Sequence, residues 1–488
     1  MNDSSLGRIS SGISGLDTIL GGGFVQERMY LILGEPGTGK TLLGMSFLET
    51  GLKDDENALF IHSEESKKDI LINGKSVGID LSAADFLDLG PDSDFFSEEH
   101  TYELVNPQDI ESEQLVENIR KTIEDLDPDR VLFDPITQLK AIEPSENQYR
   151  KRLVSFMRFL RGRGTTVLAT QTPAGSSDNS IKSLSDGVIQ LEKSEDGRRI
   201  TVQKHRGVGQ REGSHALEIR ERGLEVYPRI DPGPYDTMLG ATQFSSGIDE
   251  FDQLLDGGLE RGTVTIISGP SGVGKTTLAT KFLEAAASNG RHATMYQFEE
   301  AVDKLTHRAE SFGVPISKLQ AENKVAIEPI EPLMLSAEEF AQRVKRQTED
   351  SDTELVVIDG TEGYQLSLHG EPTDLVYSLH ALTRYLTNVD VTVILIDQSE
   401  QTDGMIQPTS RNFSYLADNV VVLNYIEREG KIEQVASVLK KRVGGHEETV
   451  RPYTIGPNGI QMREPEPAIE GFLAGQPAYS NRANRRDW

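Results

Sequence analysis

The sequence predicts an α/β protein with two tandem copies of one domain, each a mostly parallel sheet that is flanked by helices and extended by antiparallel strands. Short runs of β-branched residues alternate with longer amphipathic stretches, which is the pattern of parallel strands joined by helices. Two segments, 34–41 and 269–276, fit the phosphate-loop pattern GxxxxGK[ST]. The residues around these segments repeat at the same spacing, so the prediction applies to both halves of the chain.

The repeat is longer than the phosphate loops themselves. Lys40 and Lys275 are 235 residues apart, and the same offset relates the glutamate pairs 64–65 and 299–300. A Gly-Ile segment also begins at the same distance upstream of each loop. A constant register over about 50 residues indicates duplication.

The length of 488 residues exceeds one ordinary core. We therefore predict an N-terminal domain at residues 5–228, a Pro- and Gly-containing linker at 229–241, a C-terminal domain at 242–463 and a disordered tail at 464–488. In the first domain we predict strands at 29–33, 58–62, 131–133 and 166–169, helices at 41–52 and 148–161, and an antiparallel extension at 187–191 and 200–203. In the second domain we predict strands at 264–267, 294–297, 355–358 and 391–396, and an antiparallel extension at 420–423 and 434–439.

The composition limits the partners of the protein. The net charge is −28, from 78 acidic and 50 basic side chains, and such a charge repels nucleic acids and anionic membranes at long range. It also suits a halophilic cytoplasm, where salt screens the self-repulsion. The chain has no cysteine, its N-terminus lacks the pattern of a signal peptide, and no apolar run has the length of a membrane span. We expect a cytoplasmic protein that contacts neither membrane nor nucleic acid.

The two phosphate loops predict two ATP sites. Glycines let the backbone curve around an anion, so that N–H groups and the start of the next helix point at phosphate oxygens, while the lysine reaches the terminal phosphates. The predicted ATP-binding residues are Gly34, Glu35, Pro36, Gly37, Thr38, Gly39, Lys40, Thr41 and Leu42 in the first loop, and Gly269, Pro270, Ser271, Gly272, Val273, Gly274, Lys275, Thr276 and Thr277 in the second.

Each site also needs carboxylates. Asp134 and Asp359 follow apolar runs that predict buried strands, which is where a carboxylate can complete a Mg²⁺ site with the hydroxyl of Thr41 or Thr276. A second carboxylate must orient the attacking oxygen or take its proton. Acidic pairs are usually surface charge in so acidic a chain, but the recurrence of these pairs with the lysines predicts that Glu64, Glu65, Glu299 and Glu300 are catalytic.

Basic residues recur as well. Lys204 and Arg206 share a K-x-R spacing with Lys440 and Arg442, 236 residues later, and this spacing puts both side chains on one face of a strand. In isolation such a pair is a solvated strand face. As a duplicated feature of an acidic protein, it predicts residues that stabilise transition-state charge in the site of a neighbouring subunit.

The order of these motifs resembles that of the double-domain KaiC-type ATPases of the RecA/DnaB superfamily, and the resemblance extends from about Arg8 to Met462. The similarity rests on G-[IV]-x-x-[LF]-D before each phosphate loop, the glutamate pairs, the segments 76–78 and 311–313, and Lys-His-Arg-Gly at 204–207. It implies tandem RecA-like domains, Mg²⁺ as cofactor, and a homohexameric double ring with ATP between subunits, where the K-x-R residues reach across each interface.

The resemblance also implies a division of labour. In the family the N-terminal ring mainly hydrolyses ATP, and the C-terminal ring also transfers the γ-phosphate to its own side chains. By alignment, Thr409 and Ser414 occupy acceptor positions, whereas Tyr415 stands where clock members carry threonine and Val443 replaces a glycine of the family motif. The implied protein is a regulatory ring with serine/threonine autokinase activity and an unknown protein partner.

Two other functions agree with the phosphate loops. One is a DNA-stimulated recombinase or helicase of the same superfamily, although the charge and the absence of a basic run interleaved with aromatics argue against it. The other is a scaffold whose nucleotides only hold the ring together, although both copies keep their carboxylates.

Overall fold

The structure is a computed structural model that describes residues 6–90, 117, 119–138, 146–173, 178–234, 242–370, 372–398, 400–402, 405–407, 415–428, 430–465, 469–470 and 478–479. The chain divides into two compact units, Met1–Arg229 and Ile230–Trp488. No helix in the described part of the chain is long and apolar enough to cross a membrane.

The first unit contains short helices and strands that alternate along the chain. Its helices are α1 (Ser14–Ile19), α2 (Lys40–Lys53), α3 (Lys67–Ser76), α4 (Glu146–Arg161) and α5 (Asp178–Leu184). Its strands are β1 (Arg8–Ile9), β2 (Phe24–Val25), β3 (Met29–Gly34), β4 (Ala58–His62), β5 (Asp85–Asp88), β6 (Arg130–Asp134), β7 (Thr166–Gln171), β8 (Gly187–Ser194), β9 (Gly197–His205), β10 (Ser214–Arg220) and β11 (Gly223–Tyr227).

Nine of these strands form one sheet in the order β11-β10-β9-β8-β3-β7-β6-β4-β5. The strands from β8 to β5 are parallel to their neighbours, and β9, β10 and β11 are antiparallel. The antiparallel extension therefore begins one strand later than predicted. The segment 187–191 pairs in parallel with β3, and the chain reverses only at the turn between β8 and β9.

The second unit repeats this plan. Its helices are α6 (Asp249–Leu254), α7 (Lys275–Ser288), α8 (Val302–Ser311), α9 (Ile316–Ala321), α10 (Ala337–Asp350), α11 (Thr361–Ser367) and α12 (Pro372–Asn388). Its strands are β12 (Gln243–Phe244), β13 (Leu259–Glu260), β14 (Val264–Gly269), β15 (His292–Gln297), β16 (Val325–Pro329), β17 (Leu335–Ser336), β18 (Thr353–Asp359), β19 (Leu368–His369), β20 (Thr392–Gln398), β21 (Glu400–Thr402), β22 (Met405–Gln407), β23 (Asn419–Arg428), β24 (Lys431–Lys441), β25 (Arg451–Gly456), β26 (Gly459–Met462), β27 (Ile469–Glu470) and β28 (Ala478–Tyr479).

The second sheet has the order β16-β15-β18-β20-β14-β23-β24-β25-β26, which is the first order with each strand replaced by its copy. The antiparallel part again begins after a parallel strand, at β24. Two sheets of nine strands with helices on both faces confirm the predicted tandem α/β fold.

The central strand of each sheet is buried on both faces, which explains its continuous apolar sequence. In β3, Tyr30 and Ile32 pack into one core cluster, and Leu31 and Leu33 pack into the cluster on the opposite face. Every residue of β3 is buried, and the same is true of β14. Each phosphate loop is therefore attached to a fully buried central strand.

The predicted linker and tail contain residues with defined contacts. Ile230 packs into the core of the second unit, and Asn388 donates hydrogen bonds to the carbonyl oxygens of Pro232 and Pro234, the latter at 3.1 Å. In the tail, β27 and β28 form a short antiparallel pair where the sequence predicted no regular structure.

Candidate nucleotide sites

Both predicted phosphate loops connect the end of a central strand to the start of a helix. Residues 34–42 run from the last residue of β3 into α2, and residues 269–277 run from the last residue of β14 into α7. The residue before each helix is a glycine in the left-handed region, Gly39 with φ 104° and Gly274 with φ 108°. L-amino acids with a side chain rarely adopt this conformation, so the pattern requires glycine there. The loop N–H groups and the helix start lie at the carboxyl edge of each sheet.

The two loop lysines have the same hydrogen bonds. Lys275 Nζ donates to the carbonyl oxygens of Gly269 at 2.7 Å and Pro270 at 3.0 Å. Lys40 Nζ donates to Gly34 at 2.7 Å and to Glu35 at 3.1 Å. Partial burial lowers the pKa of both lysines, and the neighbouring carboxylates oppose this effect.

The other loop residues divide into exposed and packed positions. Glu35, Pro36, Gly37, Ser271 and Gly272 are exposed, and Thr38 and Val273 are buried. The last residue of each predicted set differs in its surroundings. Leu42 packs against the apolar core, whereas Thr277 lines the cavity above the second loop.

In the second domain the structure brings the two predicted metal ligands together. Thr276 Oγ1 donates to the Asp359 carboxylate, at 3.0 Å from Oδ2. Burial raises the pKa of Asp359 to about 6, although the hydrogen bond from Thr276 lowers it. A hydroxyl and a carboxylate at this spacing are hard oxygen donors of the kind that Mg²⁺ takes alongside water and phosphate oxygens. These residues therefore fit the ion.

The corresponding carboxylate in the first domain has a different neighbour. Thr170 Oγ1 donates a hydrogen bond to Asp134 Oδ1, and Asp134 is only half-buried. Strand register explains the difference, because the residue of β20 that pairs with Asp359 is Ile396, which has no hydroxyl. Thr170 pairs with Ile32 of β3, and Ile396 pairs with the corresponding Ile267 of β14, so the register aligns Thr170 with Ile396.

The glutamates of each pair have different partners. Glu300 forms an ion pair with Arg308, whose Nη1 lies 2.9 Å from Oε2, and Glu65 accepts a hydrogen bond from Asn73 Nδ2 at 3.1 Å. The second glutamate of each pair is thus bonded to the helix that follows it.

The first glutamate of each pair is directed toward the phosphate loop. Charge interactions link Glu299 to Lys275, and Glu64 to Lys40. Partial burial raises the pKa of Glu299, and Lys275 opposes this effect. Directly after Asp359, Gly360 has φ 101°, and a Cβ there would collide with the Glu299 carboxylate. The fold thus leaves room for Glu299 at the carboxyl edge of the sheet.

These groups of the second domain line one cavity of about 430 Å³. Its lining residues are Ser271, Gly272, Gly274, Lys275, Thr276, Thr277, Gln297, Glu299, Glu300, Arg308, Phe312, Asp359, Ile396, Asp397, Gln398, Gln434 and Ile455. Arg308, Gln434 and Ile455 line this cavity but were not predicted from the sequence. Only Arg308 had a detectable signal, because a positive charge replaces the neutral Asn73 of the first copy.

The antiparallel strands of the second domain hold its phosphate loop. Tyr453 Oη donates to the carbonyl oxygen of Val273 at 2.6 Å, and Gln434 Nε2 donates to the same oxygen at 3.4 Å. Ile455 contacts the loop at Gly274, where a Cβ would collide with its side chain. The loop is therefore fixed from the side opposite to the parallel strands.

The predicted trans-acting residues lie at the opposite edge of each sheet. His205 at the end of β9 pairs with Gly187, which pairs with Tyr30 at the start of β3. Gly34 is four positions after Tyr30 in β3, which is about 13 Å at the usual rise of a strand. Lys204 and Lys440 lie in β9 and β24, and Arg206 and Arg442 directly follow the last residues of these strands.

Each of these arginines is next to a buried or half-buried aspartate. Arg442 Nη1 donates to Asp418 Oδ1 at 3.1 Å. In the first domain, Arg161 Nη2 donates to the buried Asp186 at 2.7 Å, and Arg206 Nη1 is 3.8 Å from the other oxygen. Arg161 is thus closer to Asp186 than Arg206 is.

The predicted phosphoacceptors Thr409 and Ser414 lie outside the described residues. The next residue, Tyr415, is half-exposed, and its ring packs edge-on against His380 with 5.4 Å between ring centres.

Comparison with known proteins agrees with this architecture. The chain matches the family model described as "ATPase: KaiC" twice, over residues 9–231 and 244–467. It is 26% identical over 494 residues to the circadian clock oscillator protein KaiC of Parathermosynechococcus lividus, which covers 96% of this chain and 88% of that protein. It is 25% identical over 489 residues to the protein of the same name from Synechococcus elongatus, with coverage of 97% and 92%.

Proposed function

The chain belongs to the KaiC ATPase family, and on this premise we propose that each of its two domains binds ATP with Mg²⁺ and hydrolyses it. The observation that supports this most directly is the convergence of Lys275, the Thr276–Asp359 pair and Glu299 on one cavity of the second domain. Phosphoryl transfer needs these parts, which are a phosphate cradle, metal ligands and a carboxylate for the nucleophile. Residues of the same types occupy the corresponding positions of the first domain.

The loop and its lysine bind the nucleotide phosphates. Loop N–H groups and the start of α7 offer hydrogen bonds and a positive partial charge to phosphate oxygens. When a nucleotide binds, Lys275 Nζ donates its hydrogen bonds to the phosphates instead of to the carbonyl oxygens of Gly269 and Pro270. Thr276 and Asp359 hold Mg²⁺, which would neutralise charge that develops on the phosphates. Lys40, Thr41 and Asp134 take these roles in the first domain.

Glu299 orients the attacking water and accepts its proton. The water oxygen bonds to the γ-phosphorus, the bond from that phosphorus to the bridging oxygen breaks, and ADP and phosphate leave. A carboxylate with a raised pKa is a stronger base, which suits this role. Glu300 is engaged by Arg308, and Glu65 by Asn73, so we assign the base in each domain to the first glutamate.

Turnover measured one domain at a time tests these assignments. Lys40→Ala leaves only the second domain competent, and Lys275→Ala leaves only the first. In these backgrounds we expect Glu299→Gln and Glu64→Gln to lower kcat at least about 100-fold, because the proton acceptor is lost. The matched controls are Glu300→Gln and Glu65→Gln, which should lower it less. A larger effect of the second glutamate would refute the assignment.

We further propose that the sites are completed between subunits of a homohexameric ring. The supporting observation is that Lys204 and Arg206 lie at the sheet edge opposite to their own phosphate loop, as do Lys440 and Arg442. A head-to-tail arrangement brings this edge to the loop of the next copy. Positive side chains there stabilise the charge of the transition state.

Mixing two inactive proteins tests this proposal. Both carry Lys275→Ala, one also carries Lys40→Ala and the other Arg206→Ala. Neither hydrolyses ATP efficiently alone, but a mixed ring contains interfaces with an intact loop from one subunit and an intact arginine from the other. Recovery of activity on mixing is the expected result. Full activity of the Arg206→Ala, Lys275→Ala protein alone would contradict the proposal.

We also propose serine/threonine autokinase activity in the second domain, with Ser414 and Thr409 as acceptors. The described residues after this segment support the assignment. Asp418 N donates to the carbonyl oxygen of Val264 at 2.8 Å, so the segment leads to the same sheet edge as Lys440 and Arg442. There an acceptor hydroxyl would attack the γ-phosphorus of a neighbour's ATP, lose its proton to that neighbour's Glu299, and release ADP.

Incubation with γ-labelled ATP and Mg²⁺, followed by mass spectrometry of the peptide over residues 409–415, tests the kinase proposal. Label on Ser414 or Thr409 that is lost in Glu299→Gln is expected. An unlabelled peptide from protein that hydrolyses ATP would refute the kinase activity and leave the ATPase intact.

The relatives support a regulatory role with a protein partner of unknown identity, since they are named as circadian clock proteins. They do not favour the alternative of a DNA-stimulated motor, and the net charge of −28 also opposes it. ATP turnover with and without single-stranded DNA separates the two functions, and stimulation at moderate salt would support the motor.

A further inference from the structure

The two domains differ in the charge of one residue that holds the second glutamate. The offset of 235 residues relates Asn73 in α3 to Arg308 in α8. Asn73 donates one hydrogen bond to Glu65, whereas Arg308 donates from both Nη atoms to Glu300. A neutral amide holds the first carboxylate, and a guanidinium holds the second.

Arg308 also lines the nucleotide cavity of the second domain, together with Lys275 and Thr276. The charged residues that line this cavity are the carboxylates Glu299, Glu300, Asp359 and Asp397 and the cations Lys275 and Arg308. Arg308 thus provides half of the positive side chains available to an anionic ligand. A triphosphate differs from a diphosphate by the γ-phosphate and its additional negative charge. A second cation in the cavity should therefore strengthen binding of the triphosphate more than binding of the diphosphate.

The ion pair between Arg308 and Glu300 is open to exchange. Its side chains are 39% and 22% exposed, and ion pairs that water reaches are weak. A phosphate offers the guanidinium the same two-point geometry as a carboxylate. If Arg308 left Glu300, the Glu300 carboxylate would still accept a weak hydrogen bond from Gln297 Nε2 at 3.5 Å and would remain accessible to solvent.

We propose that Arg308 contacts the terminal phosphate of a nucleoside triphosphate in the second domain, where phosphate oxygens replace Glu300. This contact gives the second domain a stronger preference for triphosphate over diphosphate than the first domain has, where Asn73 is neutral. The inference rests on the proposed nucleotide binding and adds a residue that determines specificity.

Binding of a non-hydrolysable ATP analogue and of ADP, both with Mg²⁺, tests the inference in the full chain with Lys40→Ala. Arg308→Asn, which copies the first domain, should weaken the analogue about tenfold, or about 1.4 kcal/mol, and change ADP by less than about twofold. An equal loss for both nucleotides, or no loss, would overturn the inference. First-domain turnover of the single variant Arg308→Asn shows that the chain still folds.

Two further variants separate phosphate contact from an effect through Glu300. Glu300→Gln frees Arg308 without removing it, so analogue binding should be retained or strengthened. If Glu300→Gln weakened the analogue as Arg308→Asn does, Arg308 would act only by holding Glu300, and the inference would be wrong. The reciprocal Asn73→Arg, with Lys275→Ala, should strengthen analogue binding over ADP in the first domain.

Failure of the proposed function gives a different result. If the Lys40→Ala chain with Arg308 intact binds neither nucleotide, nucleotide binding by the second domain is wrong, and the inference fails with it. If that chain binds both nucleotides and Arg308→Asn does not discriminate between them, only the inference is overturned.

Discussion

Replacing Asp359 with Asn should stabilise the second domain near neutral pH when neither nucleotide nor metal is present. The Asp359 side chain is 2% exposed at the end of β18. Burial raises the pKa of its carboxyl group from 3.8 to about 6, even though Thr276 donates a hydrogen bond to it. The folded protein therefore holds this proton more tightly than the unfolded chain does, and ionisation of Asp359 opposes folding.

The magnitude follows from the difference between the two pKa values. A pKa difference of one is equivalent to ~1.4 kcal/mol, so a difference of about two gives about 3 kcal/mol as an upper limit. The contribution of the protonated group is fully present below about pH 4, where the unfolded chain is also protonated, and is lost as pH rises through about 6. Asn does not ionise and keeps an oxygen that can accept the hydrogen bond from Thr276. The difference in the free energy of unfolding between variant and wild type should increase from about pH 4 to about pH 6 and remain constant above that range.

Hydrogen-exchange mass spectrometry with a metal chelator measures this effect, because it reports the stability of a single segment in a two-domain chain. After correction for the intrinsic exchange rate, the peptide over β18 should be more protected in Asp359→Asn at pH 7.5 and equally protected at pH 4. The matched control is Asp134→Asn, whose carboxylate is half-buried and accepts a hydrogen bond from Thr170. Lower protection of Asp359→Asn than of wild type at pH 7.5 would refute the reasoning.

Two further predictions concern the geometry of the second site. Tyr453→Phe removes the hydrogen bond to the Val273 carbonyl. We expect the free energy of unfolding to fall by about 1 kcal/mol and the KM for ATP to rise in the Lys40→Ala background. Unchanged values of both would show that Tyr453 does not hold the loop. Gly360→Ala introduces a Cβ that collides with the Glu299 carboxylate in a backbone region that favours glycine. It should lower kcat strongly while nucleotide binding, measured by titration, changes little, and unchanged kcat would contradict the position of Glu299.

The sequence predicted the inner parallel strands well because they are buried and bounded by turns. It did not predict the parallel edge strands β5 and β16, which are partly exposed. The predicted segment 58–62 coincides with β4, and most others are extended by one to three residues in the structure. The segment 420–423 is part of the longer β23, and the segment 391–396 begins one residue before β20. The phosphate loops could be predicted because their backbone conformation requires glycine at fixed positions, as at Gly39 and Gly274.

The outer antiparallel strands could not be predicted in full. β10, β11, β25 and β26 are short and partly exposed, so their apolar pattern is weak. The hydrogen-bond partners of side chains could not be predicted from the sequence either, because they depend on strand register. The alignment of Thr170 with Ile396 follows from strand pairing, because the apolar run of β20 is one residue longer than that of β7.

The same dependence on neighbours gives the two copies of one carboxylate different surroundings. The phosphate loops and the glutamate pairs have identical spacing in both halves. Asp134 nevertheless accepts a hydrogen bond from Thr170, whereas Asp359 accepts one from Thr276 and lies in β18 between Gln297 and Ile396. Burial of the Asp359 side chain, which is 2% exposed, disfavours its ionised form, although Thr276 donates a hydrogen bond to it. Until it binds a cation, Asp359 therefore retains its proton to a higher pH than an ordinary aspartate. Loading of the second site with a cation should consequently release a proton near pH 6.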